Sequence, residues 1–300
     1  MRVIPLAADS MGVRSMATYV ETGPVRLLME PGATVSPLRF GLPPTPEEVE
    51  ALDRALGRIR AFAVRATAVT VSHFHADHYQ LDPTLYAGRR VWAKDPRTML
   101  DAHQAGQARA FWSATGPSAR LRPADGELVD LGAAIVRFSP PLPHGLEGTA
   151  FGHVIITTVD DGSRFVHAAD VQGPMSDVTT AYLIRELPDL LYLSGPPTYL
   201  AGRIGQPLVE RGIQNLLRIV RETGCRVIMD HHAVRETRFR ERLAPVLQTG
   251  RVVTAAEFLG QRETCLEAWR PHRTARARRL AATPVIRPAR RGEAASGGVS

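Results

Sequence analysis

The chain has 300 residues, 44% of them hydrophobic, which is enough to bury a full core and suits one layered domain. Its two cysteines, Cys225 and Cys265, exclude a disulfide-stapled secreted fold and fit a reducing cytoplasm. No apolar stretch approaches the length of a membrane span, and no charged segment followed by an apolar run marks a signal peptide, so a cytoplasmic protein with no membrane partner is expected.

The formal charge of +7 is unevenly placed. Residues 270–300 hold Arg270, Arg273, Arg276, Arg278, Arg279, Arg287, Arg290 and Arg291 against the single acid Glu293, which is the whole excess, so residues 1–269 are neutral. Lysine occurs once, at Lys94, a bias that points to a GC-rich genome more than to selection for phosphate contacts. The division expected is a folded domain over 1–269 and a basic, disordered tail over 270–300. The Ala, Pro, Gly and Ser content of that tail fits a solvated end, with an electrostatic arm for RNA or another anion as the alternative.

In chain order, residues 2–8, 15–21 and 25–30 read as strands parted by turn formers, among them Asp9 to Gly12. Thr45 caps a helix with Pro46 in its first position and Glu48 closing a capping box, and Val49, Leu52, Leu56 and Ile59 form its apolar stripe. A strand at 68–71 follows, then a helix expected to start at Asp95 and Pro96. Strands are expected at 127–130, 134–138, 151–159 and 164–169, the last two joined by an Asp160, Asp161, Gly162 turn. A strand at 189–193, a helix at 207–222, a strand at 226–230 and helices near 235–248 and 254–268 complete the body.

At the end of the 68–71 strand stands the run His73, Phe74, His75, Ala76, Asp77, His78, an HxHxDH pattern. Three imidazoles and a carboxylate in two short turns serve no apolar core, whereas they suit transition-metal ions. In extended backbone His73 and His75 share a face and can reach one ion, while the turn after Ala76 can bring Asp77 and His78 to a second. Such ions need further ligands from elsewhere, and strand ends offer His144, Asp170 and His231. His231 and His232 are adjacent, and an extended backbone aims them to opposite sides. His231 is preferred as the ligand because it directly follows the strand, leaving His232 to orient a ligand or face substrate. His103, His153, His167 and His272 are read as packing or surface residues.

The ordered set of HxHxDH, a loop histidine, a strand-end aspartate and a strand-end histidine resembles the metallo-β-lactamase superfamily over residues 2–269. The segments 9–18, 42–46, 169–174 and 194–200 further resemble an uncharacterised hydrolase-like branch of it. The resemblance implies an α/β, four-layer αββα sandwich of two mixed sheets with the metal centre at one edge. It also implies His73, His75 and His144 on one ion, Asp77, His78 and His231 on the other, and Asp170 bridging both. Members usually carry Asp at the early strand end that orients the ligands; here Glu30 stands there, one methylene longer, and no catalytic role is assigned to it.

The function expected is that of a dinuclear zinc-dependent hydrolase. A metal-bridging hydroxide would attack a phosphoester, ester or lactone, the ions polarising the attacked group. Two Zn²⁺ facing Asp77, Asp170 and a hydroxide leave a net charge of about +1, which favours anionic substrates. His232 or Tyr199 is the candidate proton donor to the leaving group. Imidazole-rich ligation favours zinc, with iron or manganese as alternatives. The interval from Asp170 to His231, 61 positions, is too short for the inserted domain of the nucleic-acid-processing β-CASP branch. The rival readings are an iron-dependent oxidoreductase of the same fold and a noncatalytic RNA-binding or scaffold protein using the tail; a homodimer is compatible with all three.

Overall fold

A computed structural model describes residues 1–149 and 151–282. Six strands form the first sheet in chain order: β1 (Arg2–Pro5), β2 (Thr18–Thr22), β3 (Val25–Met29), β4 (Ala68–Val71), β5 (Arg90–Ala93) and β6 (Arg120–Pro123). The first three pair antiparallel, and β3 through β6 run parallel. The remaining strands are β7 (Leu128–Asp130), β8 (Ile135–Phe138), β9 (Leu142–Pro143), β10 (His153–Val154), β11 (Thr157–Asp160), β12 (Arg164–Ala168), β13 (Leu190–Ser194), β14 (Arg226–Asp230) and β15 (Val252–Val253). Seven of them make the second sheet in the order β15-β14-β13-β12-β11-β8-β7, and β9 with β10 forms a small ribbon. Here too one side is antiparallel and β12 through β15 are parallel.

The helices are α1 (Pro46–Ala63), α2 (Ala102–Thr115), α3 (Asp177–Glu186), α4 (Ala201–Ile204), α5 (Gln206–Thr223), α6 (Phe239–Arg242), α7 (Ala244–Leu247), α8 (Ala255–Phe258) and α9 (Leu266–Ala282). Three apolar clusters define the layers. Val20, Leu27, Trp92, Phe138, Phe165 and Ile228 meet between the sheets. Ile59 and Phe111 pack α1 and α2 on the first sheet, and Leu183, Leu216 and Ile219 pack α3 and α5 on the second. Strands covered on both faces are buried along their length, as β4 is over all four residues. This is the αββα sandwich that the HxHxDH resemblance implies, the metallo-β-lactamase fold.

Several elements differ from the sequence reading. The capping box of α1 is present, with Thr45 and Glu48 bonded reciprocally; of the expected stripe, Ile59 is buried and Leu52 and Leu56 pack partly buried against the core, but Ala51, Ala55 and Ala63 complete the buried face and Val49 faces out. Small alanines let the helix lie close to the sheet. No helix starts at Asp95, because its carboxylate accepts the Arg97 N–H and guanidinium in a turn; Asp101 caps α2 instead. The 151–159 strand is interrupted at Ile155 and Ile156, and β5, β6 and α3 are additional elements.

Residues 270–282, assigned to the tail on composition, continue α9. Arg270 is fully buried and donates to both carboxylate oxygens of Glu48 and to the carbonyls of Leu42 and Ser36. The other part of the expected tail, 283–300, lies outside the described residues. Among those described, no helix is long and apolar enough to cross a membrane.

Candidate metal centre

The parallel strands of both sheets deliver polar side chains at their C-terminal ends, where open α/β sheets characteristically place their sites. Glu30 follows β3, the His73 to His78 run follows β4, Asp170 follows β12, and His231 follows β14. Glu30, Asp170, Gln172 and His231 all adopt left-handed backbone, with φ of 50°, 50°, 52° and 59°. Side chains other than glycine adopt this conformation at a cost of order 1–3 kcal/mol, and such residues cluster where function requires a fixed side-chain direction.

One carboxylate lies at the centre. Asp170 Oδ2 is 3.0 Å from His144 Nε2, 3.3 Å from His73 Nε2 and 3.7 Å from His75 Nδ1. Its other oxygen, Oδ1, is 3.1 Å from His231 Nε2 and 3.5 Å from His232 Nε2. Asp77 Oδ2 is 3.5 Å from His231 Nε2, and His78 Nε2 is 3.5 Å from Asp170 Oδ2. His73 Nε2 and His144 Nε2 come within 3.0 and 3.2 Å of His75 Nδ1. The structure therefore brings together all seven residues expected as ligands, and potential ligand atoms form groups lying within 4.8 Å of one another, among them His73, His75, His144 with Asp170, and Asp77, His78 with His231.

The outer nitrogens of the rings are occupied. His78 Nδ1 donates to Glu30 Oε2 at 2.9 Å. His73 Nδ1 meets the Ser72 hydroxyl at 2.9 Å, and that hydroxyl donates to Glu30 Oε2 at 2.8 Å. His231 Nδ1 donates to Asp9 Oδ2 at 2.7 Å, and Asp9 Oδ1 accepts from Arg235 Nε at 2.7 Å. With Nδ1 carrying one proton, the neutral form of each ring keeps its remaining lone pair on Nε2, toward the centre, where the Arg235 guanidinium also lies 3.1 Å from His231 Nε2. The Gln172 amide lies 3.4 Å from His144 Nδ1.

A cation fits what is left over. His78 Nε2 and Asp170 Oδ1 are buried with no hydrogen-bond partner, although buried polar atoms are otherwise nearly always satisfied. Burial alone would push Asp170 and Asp77 up, yet the surrounding imidazoles hold both well below the usual carboxylate range. Burial opposes charge on His78, but Asp170, Glu30 and Asp77 override it and raise the ring well above the ordinary histidine value. The field at this point thus demands positive charge, and nitrogens and oxygens converging on it are a donor set for a metal ion.

His232 does not turn away as extended backbone requires. Residues His231–Val234 form a 3₁₀ turn whose entry is pinned by the Asp230 carboxylate, which accepts the N–H groups of Ser10, His231 and Ala255. The left-handed His231 backbone then aims both rings at Asp170, their planes 89° apart. Burial, reinforced by Arg235, holds His232 down at about 3, so it is neutral at pH 7. Tyr199 lies in the 3₁₀ turn after β13, with its hydroxyl 2.9 Å from His232 Nδ1. Both face a cleft of about 800 Å³ that also exposes His75, Asp77, His144 and Asp170 beside the apolar Leu146, Phe151 and Met175.

Sequence reasoning missed Asp9, Ser72 and Arg235 and left Glu30 without a role. In sequence Asp9 reads as a turn former; the one available signal is its place, with Glu30, just beyond a strand on the edge that carries the histidines.

No model of a known protein family matches the chain. Curated relatives do. The chain is 41% identical over 285 residues to a UPF0282 protein of Thermococcus gammatolerans, covering 90% of this chain and 94% of that protein. It is 37% identical over 284 residues to the UPF0282 protein of Methanocaldococcus jannaschii, covering 90% and 95%. Among solved structures it is similar in fold to an isothiocyanate hydrolase from Delia radicum gut bacteria, with a TM-score of 0.52 and 15% identity over 81% of this chain and 94% of that one.

Proposed function

This chain belongs to the UPF0282 family, and we propose that it is a dinuclear zinc-dependent hydrolase acting on a phosphoester, ester or lactone. His73, His75 and His144 would hold one ion, Asp77, His78 and His231 the other, and Asp170 both. The observation that carries this reading is the division of Asp170: one oxygen faces the first histidine set, and the other, buried and without a hydrogen-bond partner, faces His231. Imidazole-dominated donors suit zinc. Zinc bound there would supply Lewis-acid polarisation and hydroxide at neutral pH.

The chain's own residues do the rest. Asp77 and Asp170 stay ionised at neutral pH. Glu30 and Asp9 fix ring orientation and tautomer from behind. Tyr199 and His232 form a hydrogen-bonded pair on the cleft wall; with His232 neutral, the tyrosine hydroxyl is the pair's proton source for a leaving group. A cleft of about 800 Å³ accommodates a small molecule or the end of a larger ester. Arg203, exposed on its rim, suits an anionic substrate.

The test is quantitative metal analysis of the purified chain, followed by turnover of phosphodiester, lactone and thioester substrates. The wild type is expected to hold about two ions per chain, and His75→Ala and Asp170→Ala to lose metal and turnover together. Full turnover by metal-free Asp170→Ala protein would refute the reading.

A further inference from the structure

Away from the cleft, the outer face built by α1, α6, the 261–265 segment and α9 carries a trough. Two hollows of about 420 and 740 Å³ adjoin along it, sharing Arg262 and Thr264, and neither shares a lining residue with the cleft at the metal centre. Arg54, Arg58, Arg240, Arg262, Arg273 and Arg276 line the trough against one acid, Glu263. Arg240 is neutralised by Glu257 and Glu263 at 2.5 and 2.8 Å. Arg54 and Arg273 have only distant partners, Glu50 at 3.7 Å and Glu47 at 3.9 Å. Arg58, Arg262 and Arg276 have no ion pair or hydrogen bond with a described residue. In a body whose charges cancel overall, Arg58, Arg262 and Arg276 stand along the trough as cations that no described acid neutralises.

Trp269 stands in the same trough with 45% of its surface exposed, beside the His272 ring at 5.2 Å. An indole left open among guanidinium groups offers one face for stacking, and guanidinium groups bind phosphate through paired N–H donors and can also stack on bases. We propose that this trough is a binding site for single-stranded nucleic acid, the arginines holding successive phosphates and Trp269 stacking on a base. The concave shape disfavours a flat lipid surface, and stacking on the indole requires a base that is not paired in a duplex. The site is independent of the metal reading, since none of its residues touches that centre.

The test is fluorescence anisotropy of labelled dodecauridylate, the matching thymidylate and a duplex of the same length on the full chain, between about 50 and 200 mM salt. The RNA and DNA single strands are expected to bind more tightly than the duplex, and the comparison of the two reports whether the sugar is read. Arg262→Glu with Arg276→Glu should weaken binding at least tenfold and reduce the slope of log affinity against log salt by about 1.4. Trp269→Ala should weaken it about 5- to 150-fold, and Trp269→Phe should restore most of the loss. Thermal melting of each variant separates these effects from misfolding, the phenylalanine variant keeping the test open if the alanine variant unfolds. Replacing Arg278, Arg279, Arg287, Arg290 and Arg291 by Gln in the full chain should leave the dependence on Trp269 in place. Absence of single-strand binding, preference for duplex, binding of phosphatidylserine vesicles but not oligonucleotide, or loss of binding with the tail replacements while the trough variants bind normally would each overturn the proposal.

Discussion

Glu30 Oε2 accepts a hydrogen bond from His78 Nδ1 at 2.9 Å and another from the Ser72 hydroxyl, which in turn meets His73 Nδ1. One carboxylate thus orients two imidazoles, and the longer glutamate side chain reaches both. Glu30→Ala is expected to weaken metal binding about 10- to 100-fold, as read by chelator competition, with the far-ultraviolet circular dichroism unchanged. Unaltered affinity would show that the two rings hold their positions without it.

Gly32 supports the same corner by having no side chain. A Cβ there would lie 2.2 Å from Tyr79 N and 2.5 Å from the carbonyl carbon of His78, and backbone cannot yield as a flexible side chain does. Gly32→Ala should therefore lower the melting temperature and displace His78, reducing metal content with it. Gly57, inside α1 with open space at its Cβ, is the contrast: Gly57→Ala is expected to stabilise by about 0.5–1 kcal/mol, measured by urea denaturation.

Arg270 and Glu48 form a buried pair joining α9 to α1, their side chains 0% and 1% exposed. Removing one partner strands a charge in the interior, so Arg270→Ala should cost about 3–5 kcal/mol in denaturant unfolding, whereas Arg270→Met combined with Glu48→Met should recover only part of it, because the Leu42 and Ser36 carbonyls and the Thr45 N–H lose their partners. Equal losses in the single and double variants would contradict this account.

His167 in β12 is buried, its Nε2 donating to the Met16 carbonyl at 3.0 Å, and burial pushes the ring down to about 3. Its folded value lies below the ordinary 6.5, so between these values the unfolded chain binds the extra proton. The contribution is complete above pH 6.5 and is lost as pH falls toward 3, at about 1.4 kcal/mol per pH unit. His167→Gln, which keeps a donor for Met16, should flatten the stability profile between pH 6 and 4 by about that slope. Parallel profiles for the two proteins would argue against the assignment.

What the sequence discloses follows the reach of the interactions. The HxHxDH run is legible because its residues are contiguous and end a strand, and α1 because Thr45, Pro46 and Glu48 write its cap locally. Asp9 and Arg235 are not legible, since their value lies in contacts with each other and with His231, up to 226 positions apart. Asp95 and Pro96 imitate a helix start, yet the Asp95 carboxylate is already taken by Arg97. Arg270 looks like the other arginines of a basic tail, and only the approach of Glu48 identifies it as an interior residue.

The meeting of Asp9 with His231, across 222 positions, has a consequence for how the protein matures. The nascent chain carries His73, His75, Asp77 and His78 long before β14 has left the ribosome, so the early histidines are exposed to cellular metals while their partners are still unmade. On the proposed function, capture of both ions would wait until the last parallel strands dock, which would make metal loading a late step of biosynthesis. Contacts of such sequence separation form slowly.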